Sequence, residues 1–97
     1  MRYAIEIAPE AVDDLKRLKA HVRAELHDAI ERHLRYEPAK TSRSRIKRLR
    51  GLSRPQFRLR VGDIRVFYDV CESTVQVLAV VPKAEADDWL REAGELK

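Results

Sequence analysis

The feature that most constrains this fold is the segment FRLRVGDIRVFYDV, residues 57–70, in which apolar and polar side chains alternate on both sides of a Gly-Asp pair. Glycine at the first position of a two-residue loop predicts a β-hairpin with a type II′ turn at Gly62-Asp63. Such a turn sets the register of the two strands. The predicted pairs are Val61 with Ile64, Arg60 with Arg65, Leu59 with Val66, Arg58 with Phe67, and Phe57 with Tyr68.

The two faces of this hairpin differ in chemistry. Directly paired residues share a face of a sheet, as do residues two apart along one strand. One face therefore carries the apolar side chains that helices can cover: Phe57, Leu59, Val61, Ile64, Val66 and Tyr68. The other face brings together Arg58, Arg60 and Arg65, and we expect a sheet with one apolar side and one cationic side.

The rest of the chain predicts an α+β fold. In chain order the expected elements are a strand over 2–8, a helix from Pro9, a helix over about 22–36, strands over 56–61, 64–70 and 75–81, and a helix over 84–93. The expected architecture is an N-terminal strand, an antiparallel helical hairpin packed on a curved, mostly antiparallel four-stranded sheet, and a short C-terminal helix (β-α-α-β-β-β-α). A chain of 97 residues can bury one core but not two, so residues 1–97 are expected to form a single domain.

Apolar side chains at helical spacing identify the expected core. They are Val12, Leu15 and Leu18 on the first helix, and Val22, Leu26, Ala29, Ile30 and Leu34 on the second. The nearly continuous apolar run Val75–Val81 is the best candidate for a central strand. Near the C-terminus Ala86, Trp89 and Leu90 can pack inward, with Trp89 expected to be a core or partner-contact aromatic.

Basic residues are concentrated in one part of the chain. Residues 40–65 hold ten Lys and Arg against one acid, Asp63, a net charge of +9, whereas the whole chain carries +4 and the remainder therefore −5. Clustered cations repel one another until phosphates or an acidic partner approach, so this distribution indicates a polyanion site. The basic residues are Lys40, Arg43, Arg45, Lys47, Arg48, Arg50, Arg54, Arg58, Arg60 and Arg65.

Arginines that face one another across a sheet need compensation, because such pairs are destabilising by roughly a few tenths of a kcal/mol. A guanidinium is a planar fork of donors that matches phosphate oxygens, so three of them could hold a phosphodiester and stabilise the extra charge of its cleavage transition state. The alternative is a structural network in which Asp69, Glu6 or a C-terminal acid neutralises the arginines.

Other chemistries find little support in the sequence. Cys71 is the only cysteine, so no internal disulfide or cysteine-based zinc site is expected. His21, His27 and His33 recur every six residues, which points them in different directions around a helix, and we expect neither a metal site nor a cofactor. The chain begins with alternating residues and has no long apolar run, so a cytoplasmic protein without a membrane segment is expected.

The motifs KRLRGL (47–52) and FRLRVGDIRVFYDV (57–70), followed by an apolar last strand, resemble the RelE family of bacterial toxins within the RelE/ParE superfamily of type II toxin-antitoxin systems. The helical hairpin before them extends the resemblance across nearly the whole chain. The family implies a ribosome-dependent endonuclease that cleaves mRNA in the ribosomal A site, using attack by the neighbouring ribose 2′-hydroxyl without a metal. It also implies an antitoxin partner that folds on binding and, through that partner, operator DNA.

The resemblance assigns catalytic or phosphate-binding roles to Arg58 and Arg65. It implies RNA or phosphate contacts for Arg60, Lys47, Arg50 and Lys83. The family commonly supplies a further arginine or histidine and then a tyrosine after the last strand, where this chain reads VPKAEADDWL, residues 81–90. Ala84 falls near the expected late arginine and Lys83 is the nearest cation, whereas Trp89 cannot act as a general acid or base.

Two other functions fit the same resemblance. A ParE-like inhibitor would bind DNA gyrase by protein contact, although that branch tends to have a longer helical hairpin and fewer arginines on these strands. A non-catalytic member would bind only its antitoxin and operator DNA, which the missing late arginine and tyrosine would explain.

Overall fold

The computed structural model describes residues 1–97 and contains seven strands and three α-helices. In chain order these are β1 (Ala4–Ile7), α1 (Pro9–Lys16), α2 (Ala20–Leu34), β2 (Ile46–Arg48), β3 (Leu52–Arg54), β4 (Phe57–Val61), β5 (Ile64–Cys71), β6 (Thr74–Pro82), α3 (Ala86–Ala93) and β7 (Glu95–Leu96). A single 3-10 turn, Lys83–Glu85, leads into α3. None of the helices combines the length and the apolar character that a membrane crossing requires.

The main sheet is organised around the predicted hairpin of β4 and β5. All five residue pairs have the expected register, from Phe57 with Tyr68 to Val61 with Ile64. Gly62 has a φ of +57° and Asp63 does not have a positive φ, as a type II′ turn requires. The α+β class, the helical hairpin and the mostly antiparallel sheet are confirmed.

The sheet has five strands in the order β1-β6-β5-β4-β2, not the four expected. The additional strand is β2, which pairs antiparallel with β4 and places Ile46 opposite Leu59. Three residues are too few to show an alternating pattern, so only the pairing reveals this strand. Strand β6 is interior, with β1 parallel on one side and β5 antiparallel on the other, although β5 rather than β6 is the middle strand.

The main core lies between one face of the sheet and helices α1 and α2. Its buried members are Ala11, Leu15, Leu26, Ile30, Leu34, Ile46, Phe57, Leu59, Val66, Tyr68, Val75, Val77 and Val80. The expectation that Val12 belongs to the core is wrong, because Val12 is 36% exposed and Ala11 is buried in its place. Helix α1 is also held to the sheet by Asp14, whose Oδ2 accepts a hydrogen bond of 2.9 Å from the Val80 amide.

The opposite face of the sheet is only partly cationic, which corrects the expectation of a wholly charged side. A second, smaller apolar cluster on that face consists of Phe67, Ala79, Val81 and Ala86, with Leu49, Trp89 and Leu90 packed against it. Phe67 pairs with Arg58 and so shares its face. Trp89 of α3 stacks on Phe67 with ring centroids 4.8 Å apart, which confirms Trp89 as a packing aromatic.

A second sheet of two short strands includes β7, the last strand of the chain. Strand β7 pairs with β3 around Leu52, and the Ser53 hydroxyl donates to the carbonyl of Glu95 at 3.2 Å. No sequence pattern predicts these strands, because each contains only two or three residues. Gly51, in the turn between β2 and β3, has a φ of +77°.

Candidate phosphate-binding site

A cavity of about 340 Å³ lies between the cationic part of the sheet and the start of α3. It contains four of the predicted site residues: Lys47 from β2, Arg58 from β4, Arg65 from β5, and Lys83 from the 3-10 turn. Its remaining lining residues are Leu49, Phe67, Ala86, Asp87 and Leu90. The fold thus brings four cations from four segments to one concave surface beside the smaller apolar cluster.

Arg65 is the most rigidly held of these cations. Its side chain lies inside the fold, and its Nη1 donates to the carbonyl of Gly62 at 2.9 Å and to its neighbour Ile64 at 3.1 Å. These bonds join the guanidinium to the type II′ turn that the Gly-Asp pair creates. Nε and Nη2 have no partner in the protein, and their donors are free for a ligand in the cavity.

Arg58 is half-buried and incompletely satisfied. Its Nε is a buried side-chain donor without a hydrogen-bond partner, the only such atom in the protein. Burial lowers the pKa of the Arg58 guanidinium, and the positive charges of Arg65 and then Arg60 lower it further. The hairpin register puts the three arginines on one face of the sheet, where their positive charges repel one another.

No carboxylate forms an ion pair with this cluster. No ion pair involves Arg58, Arg60 or Arg65. Asp69, the strongest candidate for a neutralising acid, instead binds Arg54 Nε at 3.1 Å and accepts from the Gln56 amide at 2.8 Å. Neither Asp69 nor Glu6 therefore pairs with these arginines, and among the C-terminal acids Asp87 lines the cavity without forming an ion pair.

Two secondary structure contacts position the lysines of the cavity. Lys47 pairs directly with Arg58 across β2 and β4, which puts both on the same face. The Lys83 amide donates to the Asp63 carbonyl at 2.7 Å, so the hairpin tip holds the start of the 3-10 turn. The pairing of Lys47 depends on β2 and has no signal in the sequence.

The other two predicted residues lie outside this cavity. Arg60 is exposed on the hairpin and pairs with Arg65. Arg50 lines an adjoining hollow of about 510 Å³ that shares Lys47, Leu49 and Leu90 with the first cavity. Sequence reasoning did not single out Asp87, and only the position of α3 brings that residue to the site.

A separate basic hollow of about 230 Å³ lies where α2 ends and the following loop returns toward β2. Its charged lining residues are Arg32, His33, Glu37, Lys40 and Arg45. Burial lowers the pKa of His33, and the charges of Arg45 and Arg32 lower it further. His27 lines a different cavity beside Ile5 and Ile30, so these two histidines have separate surroundings.

This architecture occurs in known proteins. The family described as the ParE toxin of type II toxin-antitoxin system, parDE, matches residues 5–87. No curated protein matches the chain in a sequence search.

Several solved structures have the same fold. A chain of the RelB-RelE antitoxin-toxin complex from Methanococcus jannaschii aligns with a TM-score of 0.65 and 24% identity, over 87% of this chain and 96% of that one. A chain of the archaeal RelE-RelB complex from Pyrococcus horikoshii OT3 aligns with a TM-score of 0.63 and 27% identity, over 86% and 97%. A chain of the RelBE2 complex from Mycobacterium tuberculosis gives 0.63 and 25%, over 84% and 99%. The chain therefore belongs to the ParE toxin family and is a RelE-like toxin of a type II toxin-antitoxin system.

Proposed function

We propose that this toxin is a ribosome-dependent mRNA endonuclease that arrests growth by cleaving mRNA in the ribosomal A site. The observation that carries the proposal is the cluster of Arg58, Arg60 and Arg65, which forms no ion pair with a carboxylate and borders a cavity that also contains Lys47 and Lys83. Such a cluster is suited to binding an RNA phosphate.

The energetics of Arg58 support a phosphate ligand. A half-buried guanidinium with an unsatisfied Nε and two cationic neighbours is unfavourable in the free protein. A phosphodiester supplies both the countercharge and the acceptor oxygens, and so relieves the repulsion and the lost hydrogen bond together. Charge developing on the phosphate during cleavage increases this stabilisation, which is the differential binding that catalysis requires.

We assign a role to each cation in this proposal. Arg58 and Arg65 act on the scissile phosphate, with Arg65 held by the turn so that its free donors need little reorganisation. Lys47 and Lys83 add positive field within the cavity, and Arg60 and Arg50 bind flanking phosphates from its margins. The nucleophile is the 2′-hydroxyl of the neighbouring ribose, and the reaction is a transesterification.

Expression of variants in a bacterial host tests this function. Arg58→Ala should abolish growth arrest and the mRNA cleavage detected by primer extension, because it removes a cation of the cavity. Arg32→Ala is the matched control, since Arg32 is an exposed arginine paired with Asp28 on α2. Full toxicity of the Arg58 variant, or arrest by the wild type without cleaved mRNA, would refute the proposal.

A ParE-like inhibitor of DNA gyrase is the second candidate, and the match to the ParE toxin family favours it. Such an inhibitor acts by protein contact and has no need for an unneutralised cationic cavity. A supercoiling assay with purified gyrase separates the two functions, because an mRNA endonuclease leaves supercoiling unchanged.

We also propose a cognate antitoxin as the partner of this chain. The similar structures include RelB-RelE complexes, and a basic surface of this kind suits an acidic, amphipathic segment that folds on binding. Operator DNA would be contacted through that antitoxin. A ribosomal target implies that the toxin acts in the cytoplasm.

A further inference from the structure

The cavity contains one carboxylate, that of Asp87, among the four cations contributed by Lys47, Arg58, Arg65 and Lys83. We propose that Asp87 is the general base that accepts the proton of the attacking ribose 2′-hydroxyl. This inference rests on the proposed endonuclease function and deepens it by naming the group that activates the nucleophile.

The chemistry of the lining residues leads to this assignment. Attack by a 2′-hydroxyl requires a proton acceptor near the phosphate. A guanidinium cannot be deprotonated in a protein, and a protonated lysine ammonium has donors but no acceptor. The aromatic and aliphatic lining residues, among them Phe67 and Leu90, carry no basic group. An aspartate carboxylate accepts a proton in its ionised form, whereas Lys47 and Lys83 become acceptors only after losing a proton, so Asp87 is the lining side chain best suited to this step.

Asp87 is also free to act. It makes no ion pair and no side-chain hydrogen bond, whereas its neighbour Asp88 binds Arg91 at 3.0 Å. The backbone that carries Asp87 is held by buried Ala86 before it and by Trp89, stacked on Phe67, after it. An unpaired, exposed carboxylate on an anchored helix can meet a substrate that enters the cavity.

The proton balance of the proposed step is complete without another reagent. The 2′-oxygen forms a bond to phosphorus while its proton passes to the Asp87 carboxylate, and the bond from phosphorus to the 5′-oxygen breaks. The 5′-oxygen takes a proton from water, and the resulting hydroxide takes the proton back from Asp87. The products are a 2′,3′-cyclic phosphate and a 5′-hydroxyl, with the enzyme unchanged.

Asp87 could instead be an electrostatic counterweight to the cations, and the two roles predict opposite results. A counterweight reduces the affinity for phosphate, so its removal should strengthen binding and speed cleavage. A general base contributes about 10²–10⁴-fold to the rate, so its removal should slow cleavage without weakening binding.

Single-turnover cleavage of mRNA on programmed ribosomes by the full-length protein distinguishes these roles. We expect Asp87→Asn to be slower by about 100-fold, while Asp88→Asn, the matched control on the same helix, stays within about twofold of the wild type. Affinity for an mRNA with a 2′-deoxy residue at the scissile position should be unchanged or higher in Asp87→Asn. Added formate should partly restore cleavage by Asp87→Ala and not affect Asp88→Ala.

The results of these assays distinguish failure of the general-base role from failure of the proposed endonuclease function. If the wild type cleaves and Asp87→Asn loses less than tenfold, the general-base role is wrong and the endonuclease function stands. A loss that is matched by weaker binding of the 2′-deoxy mRNA also refutes the role. If the wild type does not cleave on ribosomes, both the endonuclease and its general base are refuted.

Discussion

Arg60 and Arg65 lie directly opposite each other across the β4–β5 hairpin, but only Arg65 is incorporated into the fold. Arg65 is 7% exposed and donates to the carbonyl oxygens of Gly62 and Ile64, whereas Arg60 is exposed and makes no side-chain hydrogen bond or ion pair. Two arginines that the sequence presents as equivalent therefore contribute differently to stability.

Arg65→Ala should lower the free energy of unfolding by about 2 kcal/mol, because it removes a charged donor from two carbonyl oxygens of the turn. Arg60→Ala should change the free energy by less than about 0.5 kcal/mol. Urea denaturation of both variants measures the difference. Equal stability of the two variants would show that the bonds from Arg65 to the turn contribute nothing.

Arg58→Met should raise the free energy of unfolding by about 1 kcal/mol, since the variant removes a buried, unsatisfied Nε and the repulsion from Arg65 and Arg60. The same variant should lose affinity for a short single-stranded RNA. Thermal unfolding and fluorescence anisotropy provide the two measurements. A variant less stable than the wild type would mean that Arg58 is a structural residue.

Trp89→Ala should destabilise the protein by about 2 kcal/mol, less than for a fully buried aromatic, because Trp89 is only partly buried. The loss comes from its stacking on Phe67, which attaches α3 to the sheet. Tyr36→Ala is the control, because Tyr36 is 59% exposed and should cost less than about 0.5 kcal/mol. Chemical denaturation monitored by circular dichroism compares them, and similar losses would contradict a packing role for Trp89.

The lowered pKa of His33 predicts a dependence of stability on pH. Burial, Arg45 and Arg32 disfavour protonation of His33 in the folded state, whereas the unfolded chain protonates near pH 6.5. The unfolded state therefore binds more protons below that pH, and stability falls as the pH is lowered from 6.5 toward the folded pKa. His33→Gln should reduce this slope in urea melts between about pH 5.5 and 7.5, and His21→Gln, on the exposed start of α2, should not. An unchanged slope in His33→Gln would contradict the shift.

The sequence by itself determined the hairpin register, its type II′ turn and the helical hairpin of α1 and α2, because each depends on a local pattern. Alternation around Gly62-Asp63 specifies which residues pair, and helical spacing specifies which residues of α2 are buried. The same alternation predicted that Arg58 and Arg65 share a face of the hairpin.

The tertiary structure alone decided where these residues meet and what surrounds them. Strand β2 becomes a strand by pairing with β4, and α3 packs on the second face of the sheet through Trp89. The packing of α3 brings Asp87 to the cavity, and in the folded chain Arg65 is buried while Arg60, its partner across the hairpin, is exposed. Local periodicity cannot predict them, because burial and charge environment arise from segments that are distant in the chain and adjacent only after folding.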